Sequence, residues 1–311
     1  MHIKHLKKWL ESAGIRTAYA RRSLIGYVFI SPFILGFLFW FLIPMSTSAW
    51  MVFQDWNMMT PPKFIFLENF WSIFYDDLFW QSLKVTTIYS FVSVPLGMAL
   101  SFAVALLLNI KVRGISVFRT LFYMPMVVPS VANAVLWAWM LNTDFGLINL
   151  LLRSLGFPKV RWLVDPNLAL PSLIMVSLWG LGGAMVIYLA GLQGIPEMYY
   201  EAAEIDGAGR LAKLRYVTLP LMSPVIFFNL VMGVIGSFQV FAAGYLVTGG
   251  GPDNATLFYV LHLYRVGFKY FRMGEASALA WILFLIIVLM VIFVFRYFGR
   301  SVYYENEPSK G

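Results

Sequence analysis

Residues Ala276 to Phe295 read ASALAWILFLIIVLMVIFVF, with no Asp, Glu, Lys, Arg or His among them. The hydrocarbon core of a bilayer is crossed by roughly 20 such residues in a helix, and a helix apolar on every side has no face to turn to water. Working outward along the chain, five further stretches share this character: 25–47, 85–108, 120–141, 169–192 and 223–246, none with an Asp, Glu, Lys, Arg or His. The composition agrees, because 60% of the 311 residues are hydrophobic and 12% are charged, against about 25% charged in an ordinary soluble domain. A mean hydropathy of +0.75 excludes a water-soluble enzyme. The expected fold class is all-α, a polytopic membrane protein with six transmembrane helices.

The first stretch reads as a retained helix and not a cleaved leader. Its apolar run from Ile25 to Ile43 exceeds a signal-peptide core, and only Met45-Ser46-Thr47-Ser48 follows it. Charge on the flanks orients the chain. Segments 1–24, 109–119, 193–222 and 296–311 hold fifteen Lys or Arg against seven acids, while 48–84, 142–168 and 247–275 hold eight of each. The whole formal excess of +8 lies on the first set, which the positive-inside rule assigns to the cytoplasm together with both termini. The expected organisation is a cytoplasmic segment 1–24, a membrane domain 25–298 and a cytoplasmic tail 299–311. Residues 1–24 mix Leu6, Trp9, Leu10 and Ala13 with Lys4, Lys7, Lys8 and Arg16, the pattern of an amphipathic helix resting on an anionic leaflet. That placement of charge points to lipid and not to nucleic acid. Pro32, Pro44, Pro95, Pro125, Pro129, Pro171 and Pro224 lie in or near the spans. Each either kinks a moving helix or is tolerated where neighbours satisfy the backbone.

Several chemistries are missing. There is no Cys, and His2, His5 and His262 are too few for a His-rich metal centre. No Gly-Lys pair occurs, so a Walker A loop, which cradles phosphates on backbone N–H groups and meets them with Lys, is absent. Neither His-Glu-x-x-His nor Gly-x-Ser-x-Gly is present. The spans hold no acid or His of the kind proton-coupled carriers keep as relays. The chain is expected to be non-catalytic, with no metal or cofactor of its own, and any uphill transport then draws energy from a partner. A self-sufficient secondary carrier or channel for sugars is the alternative, since sodium coupling through backbone carbonyls leaves no such trace.

One basic-side segment breaks the charge pattern. Between the fourth and fifth spans, 193–222 contains Glu197, Glu201, Glu204 and Asp206. Pro196 suits a first helical turn and Glu197 complements the helix dipole, so a helix is expected over 196–206, ended by Gly207 in the left-handed region. A second segment then runs to a break at Leu219-Pro220. Glu197, Glu201 and Glu204 form an acidic stripe, and the small Ala202 and Ala203 allow close approach. By itself this is either a projecting helix shaped for a groove or a solvated loop helix.

Glu201-Ala202-Ala203, Asp206-Gly207-Ala208 and Val217-Thr218-Leu219-Pro220 resemble, in residues and spacing, the EAA-loop signature of membrane subunits of binding-protein-dependent ATP-binding-cassette importers. Leu214 departs from the pattern, an aromatic being commoner there. Thr248-Gly249-Gly250-Gly251-Pro252 with Asn254-Ala255-Thr256, and Asn142 through Asn149, are similar to loops of the carbohydrate-type subgroup. The resemblance implies a type I importer permease fold in a bacterial or archaeal plasma membrane. It implies a second homologous permease, an external solute-binding protein and two ATPase subunits that hold ATP and Mg. It assigns Glu197, Tyr200, Glu201, Ala202, Ala203, Asp206, Gly207 and Ala208 to coupling with the ATPase.

A solute path needs small or hydrogen-bonding side chains on one helix face. In the fifth span Asn229, Gly233 and Ser237 recur every four residues, marking either a path or a packing stripe. Resemblance to the maltose-type subunit places Gly233, Ser237 and Val240 on the cavity side, and Ser177 at a matching position. Asn133 and Trp137, one turn apart, offer an amide and a ring of the type that stacks on sugar, and Gln239 a polar handle at the span's outer end.

Overall fold

The computed structural model describes residues 18–299. The amphipathic segment expected over 1–24 and the tail 299–311 lie outside the described residues except for 18–24 and Gly299. Helix α1 runs Ala18–Phe37, through a π turn at Leu38–Leu42, into Ile43–Met51. From 23 to 51 none of its residues is buried within the chain. A small hairpin follows, with β1 (Gln54–Asp55) antiparallel to β2 (Lys63–Phe64), and then the short helix α2 (Glu68–Tyr75).

The central column is α3 (Asp77–Leu108), 32 residues long. It begins eight residues before the expected 85–108 because Asp76 caps it, accepting from Leu78 N at 2.9 Å. That places Asp77 and Lys84 in the first turns, where charge remains near water. Its buried residues include Phe79, Ser82, Thr86, Ser90, Ser93, Ser101, Ala105 and Leu108, a helical spacing that turns one side into the bundle.

The third span is not one helix. α4 (Ile115–Val127) and α5 (Ser130–Met140) meet at 96°. Val128, ahead of Pro129, takes the extended ψ of 127° that a following proline ring imposes. After α6 (Leu147–Ser154), the fourth span bends by 45° between α7 (Pro166–Ser177, continued as a 3-10 turn Leu178–Gly180) and α8 (Gly182–Gln193). At Gly182 a Cβ would collide with Phe122 O, and at Gly183 it would press on Met126 Sδ, so the α8 and α4 backbones touch where only glycine fits.

α9 (Glu197–Ile205) precedes α10, which corrects two expectations. No break occurs at Leu219-Pro220, and the fifth span covers Arg210–Phe238 instead of 223–246. The turn Leu214–Thr218 is π-helical, with Leu219 N on Leu214 O. This widened turn relieves the clash between the Pro220 ring and the carbonyls of the preceding turn, so the helix passes through. At its far end Gln239 leaves helical geometry at φ −100° and ψ 13°, and 244–248 forms a separate π turn. α11 (Tyr259–Tyr264) and α12 (Met273–Phe298) complete the chain. Among the described residues, four helices are long and apolar enough to span a membrane, and each bent pair taken as one span gives six.

The bundle has two distinct ends. At the loop end, Lys111 Nζ lies 3.4 Å from Glu197 Oε1, and Phe227 meets Phe295 edge-on at 4.9 Å. At the far end, Met273 N donates to Trp56 O at 2.9 Å, and Gly274 approaches Gln54 O so closely that no Cβ fits. The loop after α10 is also tied there, through Thr248 Oγ1 and Thr256 Oγ1 at 2.6 Å and Thr256 Oγ1 donating to Gly251 O at 2.7 Å.

Candidate functional site

Two features stand at the positions singled out in the sequence: a projecting helix at the loop end and a pair of cavities in the bundle. The helix α9 ends as a Schellman turn, with Ala208 N on Ala203 O at 2.8 Å and Gly207 N on Glu204 O at 3.0 Å. Gly207 sits at φ +78° with open space around it, so its requirement is conformational and not steric. Glu197, Glu201, Ala202, Asp206 and Gly207 face outward, whereas Tyr200, Ala203 and Ala208 are half-buried. The loop residues therefore divide into an outer surface and an inner seam.

Tyr200 belongs to the seam. Its hydroxyl pairs with Thr218 Oγ1 at 3.1 Å, and buried Thr218 donates to Lys213 O at 3.3 Å across the π turn. The Lys213–Glu204 ion pair braces the other end of the loop. The outer surface carries bare apolar groups besides the acids, with Met198, Ile205 and Leu211 at 66%, 86% and 77% exposure. Acids and apolar tips thus stand exposed together on this projecting element.

The cavities lie between α3, α5, α7, α8 and α10. The one nearer the loop end has a volume of about 560 Å³ and is bordered by Ser93 and Ser101 of α3 and Asn229, Gly233 and Ser237 of α10. The one nearer the far end, about 470 Å³, is bordered by Ser130, Asn133 and Gln239. Tyr89, Ser177, Gly180 and Val240 border both, so the two adjoin at that level. No Asp, Glu, Lys, Arg or His lines either cavity.

The α10 stripe serves both readings its spacing allowed. It packs against α3, where Ser237 Oγ and Ser90 Oγ are 2.5 Å apart and a Cβ on Gly233 would meet Val94 at 3.0 Å. Its edge also borders the cavity. Trp137 does not. It is buried against Leu141 and Val176, with its ring edge-on to Trp179 at 5.8 Å. Sequence reading passed over Tyr89, Ser93 and Ser101. The signal was present in the second span as small or polar residues at four-residue steps (Tyr89, Ser93, Gly97, Ser101).

Among the described residues no group of three His, Cys, Asp or Glu is arranged to hold a metal ion. His262 is buried at the far end, with Nε2 3.4 Å from Asp76 Oδ2. Burial pushes its imidazole below the usual range; Asp76 opposes the shift, and Arg265 and Arg272 reinforce it.

Residues 93–303 match the family described as binding-protein-dependent transport system inner membrane component. The chain is 43% identical over 292 residues to the probable ABC transporter permease protein YesP of Bacillus subtilis, covering 92% of this chain and 94% of that one. It is 34% identical over 285 residues to the trehalose/maltose transport system permease protein MalF of Thermococcus litoralis, covering 90% and 95%. In fold it is similar to a chain of the crystal structure of a bacterial ABC transporter involved in the import of the acidic polysaccharide alginate. There the TM-score is 0.80 at 24% identity, with 90% of this chain and 96% of that one covered. The contiguous match, the helical bundle and the projecting loop agree: the chain belongs to the family of binding-protein-dependent transport system inner membrane components, as a multi-pass permease of the inner membrane.

Proposed function

We propose that this chain is the permease subunit of an ATP-driven sugar importer and forms half of its translocation path, with the 193–222 loop as the coupling element toward an ATPase subunit. The single observation that carries the reading is the loop itself. α9 projects from the bundle with its acids and apolar tips uncovered, yet is braced to α10 through Tyr200–Thr218 and Glu204–Lys213. A braced helix transmits displacement, and a partner that covers it moves α10 and the cavity wall with it.

The rest of the complex follows from that role. A second, related permease encloses the path, and the uncovered apolar length of α1 supports such a neighbour. Two cassette subunits bind ATP and Mg at the loop end, which is then cytoplasmic along with both termini. An external solute-binding protein delivers at the far end. No residue of this chain is catalytic in the cycle.

The solute class rests on the cavity. Its walls carry hydroxyls, amides and one tyrosine without a charge, and a dry anion there lacks a compensating partner from this chain. Volumes of several hundred Å³ fall in the range of small-ligand sites. A neutral, hydroxyl-rich solute of the mono- to oligosaccharide class fits both, as the name of the trehalose/maltose relative suggests. The test is reconstitution. Proteoliposomes with the complete set of subunits should accumulate sugar only with ATP and binding protein. Flux through this chain alone would overturn the reading in favour of a self-sufficient carrier.

A further inference from the structure

Helix α2 is apolar on its outer side as well as its inner one. Its inner side seats Ile73 in the core and adds polar anchors: Asn69 donates from Nδ2 to Val52 O at 2.7 Å and to Gln54 O at 3.0 Å, and Ser72 Oγ accepts from Arg272 Nη2 at 3.1 Å. Its outer side carries Trp71, Phe74 and Tyr75 at 63%, 46% and 83% exposure, spaced i, i+3 and i+4 on one stripe. A helix whose outer side faces water carries polar residues there instead.

The stripe continues surface that already faces the membrane. One residue, Asp76, separates α2 from α3. Trp80 in the first turn of α3 donates from Nε1 to Phe74 O at 3.0 Å and is itself exposed, as are Ile88 and Phe91 farther down that helix. Tryptophan and tyrosine, apolar bodies with a polar tip, concentrate where acyl chains meet headgroups.

We propose that α2 lies in the bilayer plane at the far end, with its Trp71–Phe74–Tyr75 face sunk into the boundary between acyl chains and lipid headgroups and its Asn69–Ser72 face roofing the start of α12. The occupant of the aromatic face is lipid, by continuity with the spans on either side. Anchored in this way, α2 fixes the entry to α3 and α12 at one depth.

The chain contains no cysteine, so Trp71→Cys and Tyr75→Cys each accept a single nitroxide. In nanodiscs holding the assembled transporter, with the other subunits freed of cysteine, power saturation compares collisions with oxygen, which partitions into lipid, and with a water-soluble nickel chelate. Oxygen accessibility several-fold above nickel accessibility is expected at both positions, with the order reversed at Asp253→Cys, an exposed site of the same end. Nickel accessibility equal to that at 253 would put the face in water, and low accessibility to both reagents would put it under protein. Either result overturns the proposal. Tyr75 is the most exposed of the three rings, so its replacement decides the matter even where the Trp71 variant folds poorly.

Discussion

The projecting helix and its turn use consecutive residues, 197–209, whereas the cavity wall takes Tyr89 from α3, Asn133 from α5, Ser177 from α7 and Asn229 from α10. The first depends on local backbone geometry and outward charge, so one substitution can disable it. The second is a consensus of several helices, each supplying one or two small polar groups beside apolar neighbours. Single changes there weaken the wall without removing it. On the proposed reading, the lever fails abruptly and the passage degrades by steps.

The sharpest way to break this contrast is Gly207→Pro. Proline cannot take φ near +78°, and it also deletes the Gly207 N–H that bonds Glu204 O. The misfit costs roughly 3 kcal/mol, so uptake and cassette attachment should both fall about 100-fold while the chain still inserts in the membrane. Glu201→Lys, which reverses charge on the exposed stripe, should do the same without disturbing the fold. Wild-type uptake in either variant, measured with radiolabelled solute in vesicles, would contradict the lever.

Gly182→Ala probes what lies between lever and passage. Its methyl would strike Phe122 O where α4 and α8 touch, and overpacking of this kind costs about 1–3 kcal/mol. A lower Tm of the purified complex is expected, with the cassettes still attached. Ser237→Ala should be milder. It leaves buried Ser90 without its Ser237 partner, a loss of about 1 kcal/mol, read as a rise of less than tenfold in the solute concentration for half-maximal uptake.

The smallest effect concerns acidity at the far end. The His262 imidazole titrates below its ordinary 6.5, chiefly through burial, so in acid the unfolded chain binds the proton more readily than the folded one. Its contribution to stability is complete above pH 6.5 and declines as pH falls through the depressed value. The Tm should be flat at neutral pH and drop by a few degrees in acid, and His262→Gln should flatten part of that drop. A Tm that rises on acidification would show that Asp76 outweighs burial.

Much of the fold is legible residue by residue. The apolar run 276–295 lies inside α12, and the turn at Gly207 has the left-handed φ that the glycine suggested. The limits of the fifth span were not legible, because hydropathy weighs Arg210, Lys213 and Arg215 against a membrane helix although a helix extends freely beyond the lipid that ends its apolar part. Pro220 reads as a breaker in an α-helix, and only the π turn beneath it shows why it breaks nothing. In the candidate site, the four-residue repeat in the fifth span marked a face, and the same repeat in the second span passed unnoticed. Trp137 packs on Trp179, a contact with another span that spacing within one helix does not encode.

Sequence alone determined that this chain lives in lipid, that its segment 193–222 is the acidic exception on the basic side, and that the chain turns at Gly207 after α9. These are matters of solvent and of neighbouring residues, which the order of side chains specifies directly. Tertiary structure decided which sides of α3, α7 and α10 meet around the cavity, how far the spans bend, and that α2 turns its aromatic side outward. A helix in lipid gains little hydrophobic energy by choosing one apolar face over another. Close contacts such as Gly182 on Phe122, and hydrogen bonds such as Ser90 to Ser237, make that choice, and they join residues far apart in the chain.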